Sequence, residues 1–312
     1  MRRFGIEIEF EGDMDDAIAS LRAAGLGVKD ERRRHTGNDP TDWMMKYDGS
    51  VSRGGELVSP PLDFDDPAQR AQVTTAVQAL QDAGMRPSQA TGIHVHIEAK
   101  NYDGTPLTGK QMAAIARFFY KFEDAIYRIA SSGWNTIRTG ASTYCKPVPE
   151  ATAREIMKVR TIEELKNVWD GHTANGRGVL GQSGRHSRYG RAWANSLDRY
   201  YAVNYRSYWV HGTVEFRVFN GSVNPRRVQT YLALCMAIVD DARNGYSRSV
   251  AKSYRLGSME QGTVSENAVL LRLQQILTTD SKDTKRVMSK EDWKNLRVLW
   301  KDSKPQRRFV GA

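Results

Sequence analysis

Apolar and polar residues alternate strictly in three short stretches of this chain. Phe4, Ile6, Ile8 and Phe10 alternate with Glu7 and Glu9; Ile93, Val95 and Ile97 with His94, His96 and Glu98; Val214, Phe216 and Val218 with Glu215 and Arg217. A period of two is the strand period, because successive side chains of an extended chain point to opposite faces. The pattern therefore predicts three strands, each apolar on one face and charged on the other. A fourth, shorter alternation, Glu56-Leu57-Val58, follows Asp48-Gly49 and the pair Gly54-Gly55, and Pro60-Pro61 ends it. The turn residues between Asp48 and Glu56 predict a hairpin that returns both carboxylates to one end.

Helix signals fill the intervals. Asp66-Pro67 provides a cap and a first-position proline, with Gly84 as the stop. Thr108-Gly109-Lys110-Gln111 reads as a capping box opening a helix to about Ser131, and Thr161-Ile162-Glu163-Glu164 as another, closed by Gly171. Asn224-Pro225 opens an apolar helix that ends near Gly245, and two amphipathic helices are predicted at roughly 265–278 and 289–301. Strands joined by hairpin turns and long helices predict an α+β fold, with helices on the apolar face of a curved antiparallel sheet.

The 312 residues are 40% hydrophobic, enough for one large domain or a domain with an appendage. Strand signals cease and basic residues accumulate from about Ser247, which divides the chain into a main domain, 1–246, and a basic helical appendage, 247–312. Cys145 and Cys235 offer neither a disulfide framework nor zinc spacing. The longest apolar run, Leu232 to Val239, is far too short for a bilayer, and Met1-Arg2-Arg3-Phe4 runs into the first strand without a signal-peptide core. The expectation is a cytoplasmic chain without membrane contact. A net charge of +10 favours a polyanionic partner such as nucleotide, nucleic acid or an anionic metabolite. No RNA-binding signature, zinc-finger spacing or helix-turn-helix pattern accompanies that charge.

If the three charged strands share a sheet, its polar face gathers four carboxylates, two imidazoles and a guanidinium. Carboxylates so crowded repel one another and take up protons unless cations lie between them. A merely solvated face would use Thr, Lys, Ser and Gln, whereas these positions carry metal- and phosphate-binding types. The face reads as a metal and phosphate site. Residues 171–191 hold six glycines and four arginines, among them Arg185 and Arg188, and read either as a lid over phosphates or as a passive surface loop.

In this order, Gly-Ile-Glu-Ile-Glu-Phe from Gly5, Gly-Gly-Glu-Leu-Val-Ser-Pro-Pro-Leu from Gly54, Gly-Ile-His-Val-His-Ile from Gly92 and Thr-Val-Glu-Phe-Arg-Val-Phe from Thr213 resemble the amidoligase family. That family lies in the glutamine synthetase and γ-glutamylcysteine synthetase superfamily of carboxylate–amine ligases. Tyr144 to Pro147 and Arg199 to Asn204 resemble family segments too, so the likeness covers roughly residues 3–222. The resemblance implies a glutamine-synthetase-like funnel of curved strands with divalent ions at its base. It implies ATP and magnesium as cofactors, with manganese able to substitute because imidazole is an unusual magnesium ligand. Carried over residue by residue, Glu7, His94 and Glu215 would hold the metal nearer the phosphates. Glu9, Glu56 and Asp48 would hold the other, although many superfamily members have glutamate at the Asp48 position. His96 and Arg217 would contact the transferring phosphoryl group or the substrate, with Arg185 and Arg188 closing from the glycine-rich segment. Glu98 has no firm counterpart. The implied substrates are a carboxylate and an amine or ammonia donor.

Two further classes fit the same residues. A metal-dependent hydrolase would use two bridged ions to activate water and need no ATP. A non-catalytic nucleic-acid-associated module would bind DNA in a salt-sensitive way without ATP turnover.

Overall fold

The computed structural model describes residues 2–32, 41–49, 51–131, 145–146, 154–169, 201–245, 266–278 and 288–303. The chain opens with β1 (Arg3–Glu11), α1 (Met14–Ala23), β2 (Val28–Asp30), β3 (Trp43–Lys46), β4 (Gly54–Val58) and β5 (Leu62–Asp63). It continues through α2 (Pro67–Asp82), β6 (Gly92–Glu98), α3 (Gly109–Ala130) and α4 (Ile162–Trp169). Then come β7 (Val203–Asn204), α5 (Arg206–His211), β8 (Thr213–Asn220), α6 (Pro225–Arg243), α7 (Glu266–Thr278) and α8 (Lys290–Lys301). The helices start where the caps predict. Asp66 accepts from the amides of Ala68 and Gln69, Thr108 and Gln111 form a reciprocal capping box, and Asn224 accepts from Arg227.

The architecture is α+β: an open, mostly antiparallel sheet of eight strands in the order β2-β3-β4-β1-β6-β8-β7, with β5 paired to the end of β1. β2 and β3 form the one parallel pair among the described strands. The register brings charged residues into rows across the sheet. Glu9 lies opposite Glu56, which lies opposite Lys46; Glu7 lies opposite His94; and His96 lies opposite Glu215, which lies opposite Asn204. Close backbone approach fixes one residue at the β4 entry. A Cβ at Gly54 would sit 1.9 Å from the Phe10 carbonyl oxygen, so only glycine fits.

β8 departs from the simple alternation. Ile93 pairs with Phe219 but Val95 with Phe216, so two residues of β8, Arg217 and Val218, face the single residue His94. This is a β-bulge, and its extra residue changes which side chain returns to the core. Strict alternation places Phe219 on the charged face with Glu215 and Arg217; instead Phe219 stacks on Tyr231 of α6 at 4.3 Å and 15° between ring planes.

The apolar face packs against α1, α2, α3 and α6, where Ile6, Ile8, Val95, Ile97 and Phe216 are essentially inaccessible. α6 is covered on more than one side, since α2, α3, α8 and β6 all contact it. Its run from Tyr231 to Val239 is accordingly buried throughout, as a helix without a solvent face must be. Leu273 and Leu277 of α7 and Trp293, Leu296, Leu299 and Trp300 of α8 belong to the same continuous core. Among the described residues no helix is long and apolar enough to cross a membrane.

Candidate functional site

The polar face of β1, β4, β6 and β8 opens into a cavity of about 430 Å³ lined by Glu7, Asp48, Glu56, His94, Glu215 and Arg217, among others. All but Asp48, which lies between β3 and β4, arrive through the alternation of their strands, and the pairing register converts four sequence-distant segments into one cluster. His94 Nδ1 lies 2.8 Å from Glu7 Oε2, and His94 Nε2 lies 3.4 Å from Glu9 Oε1. His96 Nε2 lies 3.2 Å from Glu7 Oε1 and 3.9 Å from Glu215 Oε1.

Supporting contacts hold these groups in place. The Gly92 amide donates to Glu9 Oε2 at 2.6 Å, which accounts for one oxygen of a carboxylate that is 2% exposed. Asn204 donates from Nδ2 to Glu215 Oε2 at 2.6 Å, and its own Oδ1 accepts the Arg206 amide at 3.0 Å. Arg217 donates from Nη1 to the other oxygen, Glu215 Oε1. Ser207 and Thr213 lie 2.7 Å apart, and both lie within reach of His96 Nδ1, at 3.2 and 3.1 Å.

The electrostatics divide the cluster. Burial favours protonation of Glu7, but His96 and His94 outweigh it and hold the carboxyl well below the usual range. Glu56 goes the other way: burial together with Glu7, Glu9 and Asp48 pushes its carboxyl well above the usual range. Burial opposes the charge on Glu215, and Arg217 and His96 overcome it, so the carboxyl is lowered. Burial likewise opposes the charge on His96, but Glu7 and Glu215 raise its imidazole. Burial and the nearby His96 lower the imidazole of His211, whose ring stands edge-on to His96 at 6.0 Å between centroids.

The donor set suits divalent cations on two grounds. Three groups each offer three donor atoms within 4.8 Å of one another: Glu7, Glu56 and His94; Glu7, His96 and Glu215; and Glu9, Asp48 and Glu56. The Nε2 atoms of His94 and His96 are also buried without a hydrogen-bond partner, although carboxylate oxygens lie close to both. Carboxylates with one imidazole fit magnesium or manganese better than soft metals.

All eight of Glu7, Glu9, Asp48, Glu56, His94, His96, Glu215 and Arg217 thus fall in one region of the sheet. Glu98, at the far end of β6, instead accepts from Lys100 Nζ at 2.8 Å. Arg185, Arg188 and the segment 171–191 lie outside the described residues. The sequence reading singled out none of Arg206, Ser207 and His211 as site residues, yet all three line the cavity. They come from the β7–α5–β8 connection, which has no alternation to mark a face. The only sequence signal there is Gly212, which takes φ +69° to end α5 and start β8.

A family model described as "Putative amidoligase enzyme" matches residues 1–239. No curated protein matches the chain. Among solved structures, the chain is similar to one in the crystal structure of the complex between Prokaryotic Ubiquitin-like Protein Pup and its ligase PafA, at 10% identity and a TM-score of 0.30. That alignment covers 96% of this chain and 63% of the other, so the chain spans less than two thirds of its length.

Proposed function

The chain belongs to the putative amidoligase enzyme family, and on that premise we propose that it is an ATP-dependent carboxylate–amine ligase working at the carboxylate and imidazole cluster. The observation that carries this reading is the convergence of three donor groups, with Glu7 and Glu56 each shared by two of them, in a cavity that Arg217 also lines. In this reading the charged face of the sheet is the floor of a glutamine-synthetase-like funnel.

The reaction has two steps. An oxygen of the carboxylate substrate attacks the γ-phosphorus of ATP, the bond to the β-phosphate oxygen breaks, and ADP leaves with an acyl phosphate formed. The amine nitrogen then attacks the acyl carbon, inorganic phosphate leaves, and the nitrogen loses a proton. Glu7, Glu9, Asp48, Glu56, His94 and Glu215 would hold magnesium, which would neutralise phosphate charge. Arg217 keeps its charge because Glu215 and Glu7 offset its burial, and its planar fork suits a phosphoryl group in flight. His96, whose Nε2 lies 3.2 Å from Glu7 Oε1, would contact the transferring phosphoryl group or the substrate. Asn204 and the Gly92 amide act earlier in the chain of cause, fixing the Glu215 and Glu9 carboxylates so that their orientation need not be bought at the moment of reaction.

The test incubates the purified chain with ATP, magnesium and pooled carboxylates and amines, following ADP, phosphate and condensation products by mass spectrometry. Condensation in step with ADP release supports a ligase. Hydrolysis of a substrate without nucleotide would point to a metal-dependent hydrolase instead. Glu7→Gln should weaken magnesium or manganese binding in calorimetry, and unaltered affinity would remove Glu7 from the metal site.

A further inference from the structure

We propose that Val210 determines specificity by lying against an apolar group on one of the two organic substrates, so that this substrate is an aliphatic-bearing molecule and not a wholly polar one. The part that molecule plays in a condensation rests on the ligase reading, whereas its apolar contact does not.

Of the described residues that line the cavity over the cluster, Val210 alone is apolar; the others present carboxylate, imidazole, guanidinium, amide or hydroxyl groups. Val210 is 58% exposed. Single exposed apolar side chains are common on protein surfaces, so its position decides the matter. Tyr47 and Leu271, the other exposed large apolar side chains among the described residues, do not line this cavity.

Neither core packing nor helix formation accounts for a valine here. α5 turns Tyr208 and Trp209 toward the core, with their rings 5.7 Å apart, and leaves Val210 out of it. The branch at Cβ makes valine a poorer helix former than Gln, Glu or Lys, so a six-residue helix gains nothing from it. What valine has and those residues lack is apolar surface, and a cavity wall benefits from that surface only when a ligand covers it. Ligand pockets are mostly apolar with a few polar groups. This one is the inverse, and its single apolar patch spans only a few methylene groups. Such a patch matches an alkyl chain better than the broad face of a purine.

The wall is also held in place. Arg206, Ser207, Val210 and His211 recur at i, i+1, i+4 and i+5, which is one side of a helix, and all four line the cavity. Asn204 Oδ1 accepts the Arg206 amide at the start of α5, and the Ser207 and Thr213 hydroxyls lie 2.7 Å apart. The Gly212 amide donates to the Tyr208 carbonyl at 2.9 Å, and Tyr205, just before the helix, donates to the Met112 carbonyl of α3 at 2.9 Å. Val210 therefore stands as a fixed contact one turn beyond Arg206.

The test uses the full chain with magnesium and two probe series, followed by calorimetry and ligand-observed NMR: straight-chain amines from methylamine to pentylamine, and carboxylates from acetate to hexanoate. In one series affinity should rise about two- to fourfold per added methylene until Val210 is covered, and the series that responds identifies the substrate carrying the apolar group. Val210→Ser should flatten that rise and Val210→Leu should keep it; both should fold by circular dichroism, because the side chain is exposed. Flat affinity in both series, an equal rise in both, a rise that Val210→Ser leaves unchanged, or a Val210→Ser loss confined to ATP affinity would overturn the proposal. Chain-length-dependent binding through Val210 without ATP-dependent condensation of pooled substrates would sink the ligase reading and leave this contact standing. Condensation with flat affinity in both series would do the reverse.

Discussion

Asn204→Ala removes a single neutral side chain and should damage both stability and chemistry. Asn204 and Glu215 are 3% and 5% exposed, and their hydrogen bond is 2.6 Å long. A hydrogen bond to a charged group contributes about 1.5–3 kcal/mol, and loss of the donor leaves a buried carboxylate oxygen poorly solvated. The Asn204 Oδ1 also caps the Arg206 amide at the start of α5, which carries Ser207 and His211 into the cavity. The two losses together should cost about 2–4 kcal/mol and lower Tm by several degrees. The remaining oxygen of Glu215 stays tied to Arg217, so the carboxylate is free to swing about that contact. A misaligned Glu215 should reduce kcat more than it raises KM. Asn204→Asp sharpens the test, because it sets a second carboxylate against Glu215; this variant should be the less stable of the two without divalent cations and should recover more of its Tm when magnesium is added. Thermal melts with and without magnesium, with steady-state ATP turnover, measure all of this. An Asn204→Ala protein with wild-type Tm and turnover would refute the idea that Asn204 orients Glu215.

Three further outcomes are expected. Arg217→Lys keeps a charge but loses the planar fork, and should lose roughly 1–3 kcal/mol of transition-state stabilisation in kcat/KM; full activity would reduce Arg217 to a partner of Glu215. Asp241 of α6 is buried, has an oxygen without a hydrogen bond, and is pushed up to about 7 by that burial. The folded state therefore holds a proton that the unfolded chain releases near 3.8, so this contribution to stability is complete below about pH 4 and lost as pH rises through 7. Asp241→Asn should flatten the stability profile across that window and exceed wild type above it; parallel profiles in denaturant titrations would assign the slope elsewhere. Phe219→Ala should cost about 3–5 kcal/mol in chemical unfolding because its ring stacks on Tyr231 in the core, and a loss below about 1 kcal/mol would contradict the shifted face.

Much of this site was legible before any coordinates, because alternation carries its own geometry. Once Glu7 and Glu9, or His94 and His96, sit two apart in apolar strands, each pair must share a face. The helix starts were equally readable, since Asp66, Thr108 and Asn224 act through local hydrogen bonds. Neighbour order was not readable from periodicity. Nothing in Glu56 or Glu9 announces that they lie opposite each other, because register is a long-range property of the sheet. The core position of Phe219 was not readable for a related reason: a bulge adds a residue without changing the sequence pattern. His211 and Ser207 were missed because α5 is a six-residue helix with no periodic stripe, and their placement depends on where β7 and β8 pair.

The bulge also sets how this strand tolerates a change in length. Deleting one residue from β1 or β6 would turn everything beyond it upside down, exchanging carboxylates for isoleucines along the cavity floor. β8 contains slack. Were Val218 removed, Arg217 would come opposite His94 and Phe219 would remain opposite Ile93, leaving Glu215 and Arg217 on the cavity side. Such a shortened chain would forfeit one buried valine and keep the order of its charged groups, so length differences among related sequences belong at this position before any other in the three charged strands.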